Sequence, residues 1–366
     1  MKTLRLFLSL LVLSCVGTVT AVAQTILVVD NNPGTNAAYT DVQAAHDAAA
    51  AGDIIYVQPS ASVYGAITIT KPITIVGRSH SEPNKESYIG NINIEASNVE
   101  VKGIRLNTLR IRPTTPNPIP IAGIRIYECE FLINSIGLNT QNAVNVSNVE
   151  YRGNHIRDLI SINRDASDVL ISNNLITSSS IQVFSSSNTV FANNVFRTRN
   201  TGVSIQNEDT NFPLNFFNNM FVGNSPNQIN VNLADNAFGL QNNLFYNFGA
   251  GDFGVTTSSG GSVNNNAPLL NVDPLFTDVD ASDNGSFAGF GAFTIEDRPA
   301  DDFSLQMGSP ALTASINGDE LGVYNTGFRF QKLGNPRGIP LLDILNYDSA
   351  VPAGGTINVT VRARAN

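Results

Sequence analysis

The sequence predicts an all-β protein, a right-handed parallel β-helix built as a single-chain solenoid, with an N-terminal capping α-helix and an irregular C-terminal β cap. Three observations carry this expectation. Asparagine pairs followed by a large apolar residue recur every 20–25 residues, as in "ISNNLI", "FANNVF", "FFNNMF" and "LQNNLF". Alternating apolar columns keep register with those pairs. No helical period separates one copy from the next.

In chain order, the first element is a leader. Lys2 and Arg5 precede the apolar stretch "LFLSLLVLSCVGTV", and "AVA" follows, which describes a secretory signal over residues 1–23 with cleavage after Ala23. The apolar run is short for a bilayer span, and no later run is longer. "VLSC" also reads as a lipobox that would acylate Cys15, but "AVA" favours soluble release. The expected location is therefore extracellular, at the cell surface or in the periplasm of a bacterium.

Without the leader the chain carries 19 basic and 30 acidic residues, a net charge of −11. That balance argues against nucleic acid as a partner and, more mildly, against a polyanionic substrate. Cys129 is then the sole cysteine, which excludes an internal disulfide and reads as a buried apolar filler. The three histidines, His46, His80 and His155, are too few and too scattered for a histidine zinc site.

The segment "TDVQAAHDAAAAGD" (40–53) reads as one amphipathic helix. Thr40 and Gln43 form its capping box, Val42, Ala45 and Ala49 share a face, and Gly52 stops it. His46 lies among alanines and reads as a packing or solvated residue. Strands follow at 54–57, 66–69 and 72–77. Ile73, Ile75 and Gly77 match Val99, Val101 and Gly103 at a spacing of 26, so the helix caps the first rung.

The rungs come next, over 24–269 as one unit. The last apolar residue of each motif, position zero, falls at Leu106, Phe131, Ile156, Ile176, Phe196, Phe221 and Phe245. Five residues earlier stand Val101, Ile126, Tyr151, Ile171, Phe191, Phe216 and Leu240; seven earlier the column is apolar except for Thr189. Positions two apart point the same way from a strand. A second apolar pair follows each motif, from Leu109/Ile111 to Phe253/Val255. A unit of this length made only of short strands cannot close a core alone, but stacked copies can. Seven rungs at ~4.8 Å make a stack of roughly 29 Å.

Two residues before position zero, Asn154, Asn174, Asn194, Asn219 and Asn243 occupy one turn on consecutive rungs. Stacked amides at rung spacing form a ladder, each donating to the next. The preceding Asn173, Asn193, Asn218 and Asn242 suit the left-handed backbone conformation, with Gly153 in that slot one rung earlier.

"YTDVQAAHDAAAAGDIIYV", "YGAITITKPITIVG", the Asn-rich rungs, "NVDPLF" and "DDFSLQMGSPAL" together resemble the pectin-lyase-like family of secreted right-handed parallel β-helix proteins, over about residues 25–325. The resemblance implies the fold and export. It implies activity less firmly, since the family holds polysaccharide lyases, hydrolases and epimerases beside surface proteins with no catalytic site. Its lyases pair a proton-abstracting base with calcium-holding acids, and its hydrolases cluster carboxylates. The polygalacturonase signatures Asn-Thr-Asp, Gly-His-Gly and Arg-Ile-Lys are missing here. The pair Asp301–Asp302 lies in C-terminal loops and reads as a solvated turn.

Chemistry on this fold needs outward side chains. Their columns read Glu100, Arg125, Glu150; Lys102, Tyr127, Arg152; and Arg105, Glu130, His155, then turn apolar. Arg125, Tyr127, Glu130, Arg152 and His155 are the catalytic candidates, expected on one continuous patch. Lys102, Arg105, Arg125, Tyr127 and Arg152 are the substrate-binding candidates. The alternating signs of Glu100, Arg125 and Glu150 equally suit an exposed cross-strand ion-pair ladder. The excursion "LNTLRIRPTTPNPIPIAG" (106–123) would wall one side of the patch.

Residues 270–366 are expected to pack on the last rung as an irregular cap, ending in a strand at "GGTINVTVRARAN". Asp278, Asp280 and Asp283 loosely resemble a calcium loop, though the spacing departs from it and no glutamate closes it. Calcium is the one cofactor the sequence offers. The expected function is a non-catalytic protein that contacts polysaccharide or serves as a scaffold; the rival is a lyase-like enzyme using the patch.

Overall fold

The computed structural model describes residues 24–79, 86–112, 119–132, 136–138, 145–157, 160–162, 166–177, 180–183, 187–197, 204–207, 214–223, 232–234, 238–246, 256–257, 263–266, 268–279, 302–325, 327–331, 334, 336–338, 341–347, 354–356 and 359–364. The leader, Cys15, His80 and the apolar pair Phe253/Val255 lie outside these residues.

The chain winds as a parallel β-helix. Strands one rung apart in sequence are neighbours in space, and every pairing within the coil is parallel. The first face is an 11-stranded sheet that starts at Ile26–Val29, passes through Glu100–Lys102, Ile121–Tyr127 and Val146–Arg152, and ends at Val263–Asn266. Tyr88–Ile94 and Arg105–Ile111 each run unbroken along the rest of their rung. Thereafter that part splits into two series. One comprises short strands such as Glu130–Phe131, His155–Ile156 and Leu175–Ile176, and the other Ile136–Leu138, Ile160–Ile162 and Ser180–Val183.

A developed rung thus has three strands, where the two apolar pairs of each repeat imply at least two. A corner three residues before position zero separates the first-sheet strand from the rest of the rung. Asn173, Asn193, Asn218 and Asn242 all have φ of 53–57°, in the left-handed region. One such residue turns the chain, so a new strand begins one residue before position zero, as at Leu175 and Val195. Glu128 takes the same conformation at φ 55°.

Inward columns build one core along the whole stack. Val101, Ile126, Tyr151, Ile171, Phe191 and Phe216 are fully buried, as are Leu106, Phe131, Ile156, Ile176, Phe196 and Phe221. Parallel in-register pairing places like residues above one another, so Phe196, Phe221 and Phe245 stack face to face at 4.5 and 4.9 Å. Thr189, the polar exception in its column, is buried too.

Amides line one corner. Asn154 Nδ2 donates to Asn174 Oδ1 at 2.9 Å, Asn174 to Asn194 at 3.0 Å, Asn194 to Asn219 at 2.9 Å and Asn219 to Asn243 at 3.0 Å. The second hydrogen of each Nδ2 goes to a carbonyl of the preceding rung, as from Asn194 to Ile171 O at 2.9 Å. Each Oδ1 also takes the backbone N–H of the residue before it in the column, Cys129 for Asn154 and an Asn for the others. Cys129 holds the same column one rung earlier, and its Sγ approaches Val101 O at 3.6 Å where an amide would donate. Burial pushes this thiol up to about 12. We therefore expect Cys129 to resist an alkylating reagent at neutral pH in the folded protein and to react in denaturant, read by mass spectrometry.

The capping helix is shorter than the sequence suggests, Val42–Ala48. Its N-cap is Asp41, whose Oδ1 accepts the Ala44 N–H at 2.8 Å, and not Thr40. Gln43 cannot complete a capping box because its Oε1 already accepts the Thr68 N–H at 2.8 Å on the coil. Val42, Ala45 and Ala49 join the core. His46 is 1% exposed and its Nε2 accepts the Thr70 N–H at 3.1 Å, so it packs the helix onto the first rungs.

The C-terminal part differs most from expectation. Phe276–Asp278 pairs antiparallel with Asp302–Leu305, and Pro310–Thr313 forms a 3-10 turn capped by Ser309. Asp302 thus begins a strand, with Oδ1 accepting the Ser304 N–H at 2.9 Å, where a solvated turn was expected; Asp301 lies outside the described residues. From Ala314 the chain runs back beside the corner column instead of resting on the last rung alone. Asn242 Nδ2 donates to Ala314 O at 2.9 Å, Asn218 Oδ1 accepts from Ile316 N at 3.0 Å, and Asn173 Nδ2 reaches Val323 O at 3.4 Å. Far down the stack Ser79 N donates to Gly334 O at 3.1 Å. The reason is apolar. The outward residues Leu175, Val195, Met220 and Leu244 need a cover, and Phe303, Ala311, Leu321, Val323 and Phe330 supply it as a second core. The last described strand, Val359–Arg364, forms an antiparallel hairpin with Leu341–Tyr347.

Candidate functional site

The charged columns fall on two faces, separated by the left-handed corner. Glu100, Lys102, Arg125, Tyr127, Glu150 and Arg152 stand on the outer side of the first sheet, in register across three strands. Arg105, Glu130 and His155 stand on the next face. The continuous patch expected from the columns is therefore not formed, because the reversal at residue 128 turns the chain between Tyr127 and Glu130.

On the first face the acids pair within their own strands. Glu100 Oε1 lies 2.9 Å from Lys102 Nζ, and Glu150 Oε2 lies 3.2 Å from Arg152 Nε. Tyr127 O–H donates to Glu150 Oε2 at 2.7 Å. Burial and the neighbouring Glu150 carboxylate push this phenol well above its ordinary value, so it stays protonated and cannot serve as a base near neutral pH. Arg125 is exposed and makes no ion pair among the described residues. The expected ladder through Glu100, Arg125 and Glu150 is thus replaced by same-strand pairs, since residues two apart on one strand face the same way.

On the second face, Glu130 is 0% exposed and His155 3%. Glu130 Oε2 lies 3.3 Å from Arg105 Nε, and its Oε1 lies 3.6 Å from His155 Nδ1 and 4.0 Å from Arg157 Nη1. Arg105 also pairs with Glu86 and lies over the Tyr88 ring. This is a buried ion cluster, where a lone carboxylate would be costly and a surrounded one is tolerated. Glu130 and His155 were expected on the surface and are not there. The same column carries Leu175, Val195, Met220 and Leu244 higher up, and all of it is covered.

The corner between the faces holds the residues the sequence did not single out. Glu128 is 1% exposed; its Oε2 accepts the Arg337 N–H at 2.8 Å and its Oε1 lies 3.1 Å from Arg337 Nε. Burial holds the Glu128 carboxyl above the usual carboxylate range, against the opposing pull of Arg337. The Arg337 guanidinium lies 4.2 Å over the Phe328 ring, which in turn sits 5.1 Å from Tyr127. Phe328 fills the notch left by Gly153, where an added Cβ would meet its ring at 2.7 Å. One signal was available: Glu128 is the lone charged residue in a column otherwise Asn or Gly.

Of the calcium candidates, Asp278 ends the strand Phe276–Asp278, while Asp280 and Asp283 lie outside the described residues. Among the described residues no group of three or more His, Cys, Asp or Glu is placed to hold a metal. Of the 106–123 excursion, Arg105–Ile111 and Ile121–Tyr127 are strands, and 113–118 lie outside the described residues. No described helix is long and apolar enough to cross a membrane.

Two solved structures show a distant likeness. A pectin methylesterase from Aspergillus niger, in deglycosylated form, is similar at 13% identity and a TM-score of 0.35, over 68% of this chain and 85% of that one. The same enzyme in penultimately deglycosylated form gives 13%, 0.34, 68% and 84%. No protein-family model and no curated protein matches the sequence. A likeness this distant says nothing of activity.

Proposed function

We propose that this β-helix protein acts outside the bacterial cell, reached by its leader, and binds an acidic polysaccharide on the first sheet without cleaving it. One observation carries the reading: the cations are accessible and the acid–base candidates are not. Arg125 is exposed, with Lys102 and Arg152 partly so, beside the half-buried ring of Tyr127. Guanidinium groups accept a carboxylate in a bidentate manner, and a ring face suits the apolar face of a pyranose. Glu130 and His155, which a lyase or hydrolase would need in contact with substrate, are buried on the other face. Binding of this kind needs no cofactor; a calcium ion at the C-terminal aspartates would be a separate matter.

A panel of uronate-bearing and neutral polysaccharides tests this. The expected result is retention of the acidic chains only, with no ultraviolet absorbance from unsaturated product. Arg125→Ala should weaken retention by about tenfold, the worth of one charge-assisted contact. Release of unsaturated product would overturn the non-catalytic reading, and equal retention of neutral chains would overturn the acidic one.

A further inference from the structure

The C-terminal strap, residues 309–338, is fastened permanently to the coil. Its Ala311, Leu321, Val323 and Phe330 bury against the outward column of Leu175, Val195, Met220 and Leu244. Whatever the strap presents beside the first sheet therefore belongs to that surface. Next to the candidate site it presents Phe328, Arg329 and Arg337. Phe328 is half-buried, fills the notch over Gly153 and lies 5.1 Å from the Tyr127 ring. Arg337 lies 4.2 Å over the Phe328 ring and is itself clamped by Glu128.

Arg329 sits between two pinned residues. Phe328 before it packs on Tyr127, and Phe330 after it is buried in the second core, its N–H on Val323 O at 3.0 Å. Arg329 itself is exposed and makes no ion pair or hydrogen bond among the described residues. Glu320 lies near enough to feel its charge but does not pair with it. Burial holds the Arg337 guanidinium below its ordinary value, Glu128 opposes this, and the like charge of Arg329 adds to it. On the coil, Arg125 is likewise exposed and unpaired, two residues before Tyr127 on the same face of one strand. Two free guanidinium groups thus flank one aromatic pair, Tyr127 and Phe328, one from each segment. Glu128 and Glu150 are taken up by Arg337 and Arg152, so neither is left to neutralise them.

We propose that Phe328 and Arg329 form a fixed second half of the binding face, which suits it to a polyuronate with carboxylates on neighbouring sugars. The inference rests on the reading of the first face as a binding surface for acidic polysaccharide. A chain lying across the aromatic pair sets pyranose faces on Tyr127 and Phe328 and meets Arg125 on one side and Arg329 on the other. Each guanidinium takes one carboxylate in a bidentate manner. A chain whose carboxyls are sparse or esterified cannot engage both at once. Because the chain is pinned before and after Arg329, its backbone is already ordered before the ligand arrives. Arg337 touches no ligand in this arrangement; it is a positioning residue that holds Phe328 by stacking on it.

Retention of the full-length protein on polygalacturonate, and on the same polymer with most of its carboxyls esterified, tests this. Arg329→Ala should weaken retention on the free acid about tenfold, matching Arg125→Ala, and the double variant about a hundredfold, since the two meet different sugars. Arg329→Lys should recover only part of the loss, because an ammonium lacks the bidentate fork. Phe328→Leu keeps an apolar side chain over Gly153 but loses the ring, and should weaken retention about threefold. The esterified polymer should be held weakly by the wild type. Arg329 is exposed, so Arg329→Ala should melt at the wild-type temperature, which separates lost binding from lost fold. Undiminished retention of Arg329→Ala beside a weakened Arg125→Ala would overturn the part given to the strap and leave the face as read. Equal retention of free and esterified polymer by the wild type would overturn the need for neighbouring carboxylates. No retention by the wild type, or retention indifferent to both arginines, would overturn the reading of the face and this inference with it.

Discussion

Asn194→Ala should destabilise the protein by about 4 kcal/mol, read as a lowered urea midpoint with an unchanged slope. The side chain lies in the middle of the amide column. Its Oδ1 accepts the backbone N–H of Asn174 at 3.0 Å and the Asn174 Nδ2 at 3.0 Å, and its own Nδ2 donates to Ile171 O at 2.9 Å. Alanine leaves those buried groups without partners, and each buried orphan costs about 1–3 kcal/mol. No water can replace the bonds without opening the corner, since Asn174, Asn194 and Asn219 are all 0% exposed. The neighbouring substitution separates this effect from the turn itself. Asn193→Gly keeps the left-handed conformation at φ 57° and should stay within about 0.5 kcal/mol of the parent. Equal losses at 193 and 194 would show that the turn, not the amide column, carries the stability.

Phe221→Ala should cost a similar ~3–5 kcal/mol. Phe221 lies between Phe196 and Phe245 in one stack, with centroids 4.5 and 4.9 Å away, and touches Phe216 at 6.2 Å in a tilted arrangement. Rung spacing is fixed by the hydrogen bonds of the sheets, so the rungs cannot close over the gap and the cavity persists. Phe221→Leu should recover roughly half of the loss, because it refills volume without restoring the stack. Because the rungs form a linear array, the damage should also spread unevenly. Hydrogen exchange should quicken most in the strands next to Met220–Val222, namely Val195–Arg197 and Leu244–Tyr246. Uniform acceleration through all rungs would contradict this local cost.

Much of the coil was legible because parallel stacking copies one register from rung to rung. Val101, Ile126, Tyr151 and Ile171 align in the sequence because they must align in space, and their pairing follows the spacing residue for residue. The left-handed corners were legible for the same reason, since few residue types suit that conformation. The apolar pairs marked at least two strands per rung; the short one just past the corner, such as His155–Ile156, is too brief to show a period of its own. The helix cap was misplaced by one residue, for Gln43 is bound to Thr68, 25 residues away, which no local pattern reveals.

The candidate site was the less legible half. Arg125, Tyr127 and Arg152 do share a face, as their columns imply. Glu130 and His155 follow the same alternation and yet are buried. One clue was present, since Leu175, Val195, Met220 and Leu244 continue their column with apolar residues on an outward face, and a strand apolar on both faces is covered on both.

By itself the sequence determined the rung length, the inward columns, the turn positions and the order in which strands meet. All of these are local or repeat at a fixed interval, so periodicity and backbone sterics settle them. Only the tertiary structure decided which outward residues meet solvent. That depends on a strap whose contact with Asn173 comes from 150 residues further along the chain. Its path follows from the burial of a second apolar core and the pairing of Glu128 with Arg337, interactions between distant segments that leave no period in the sequence.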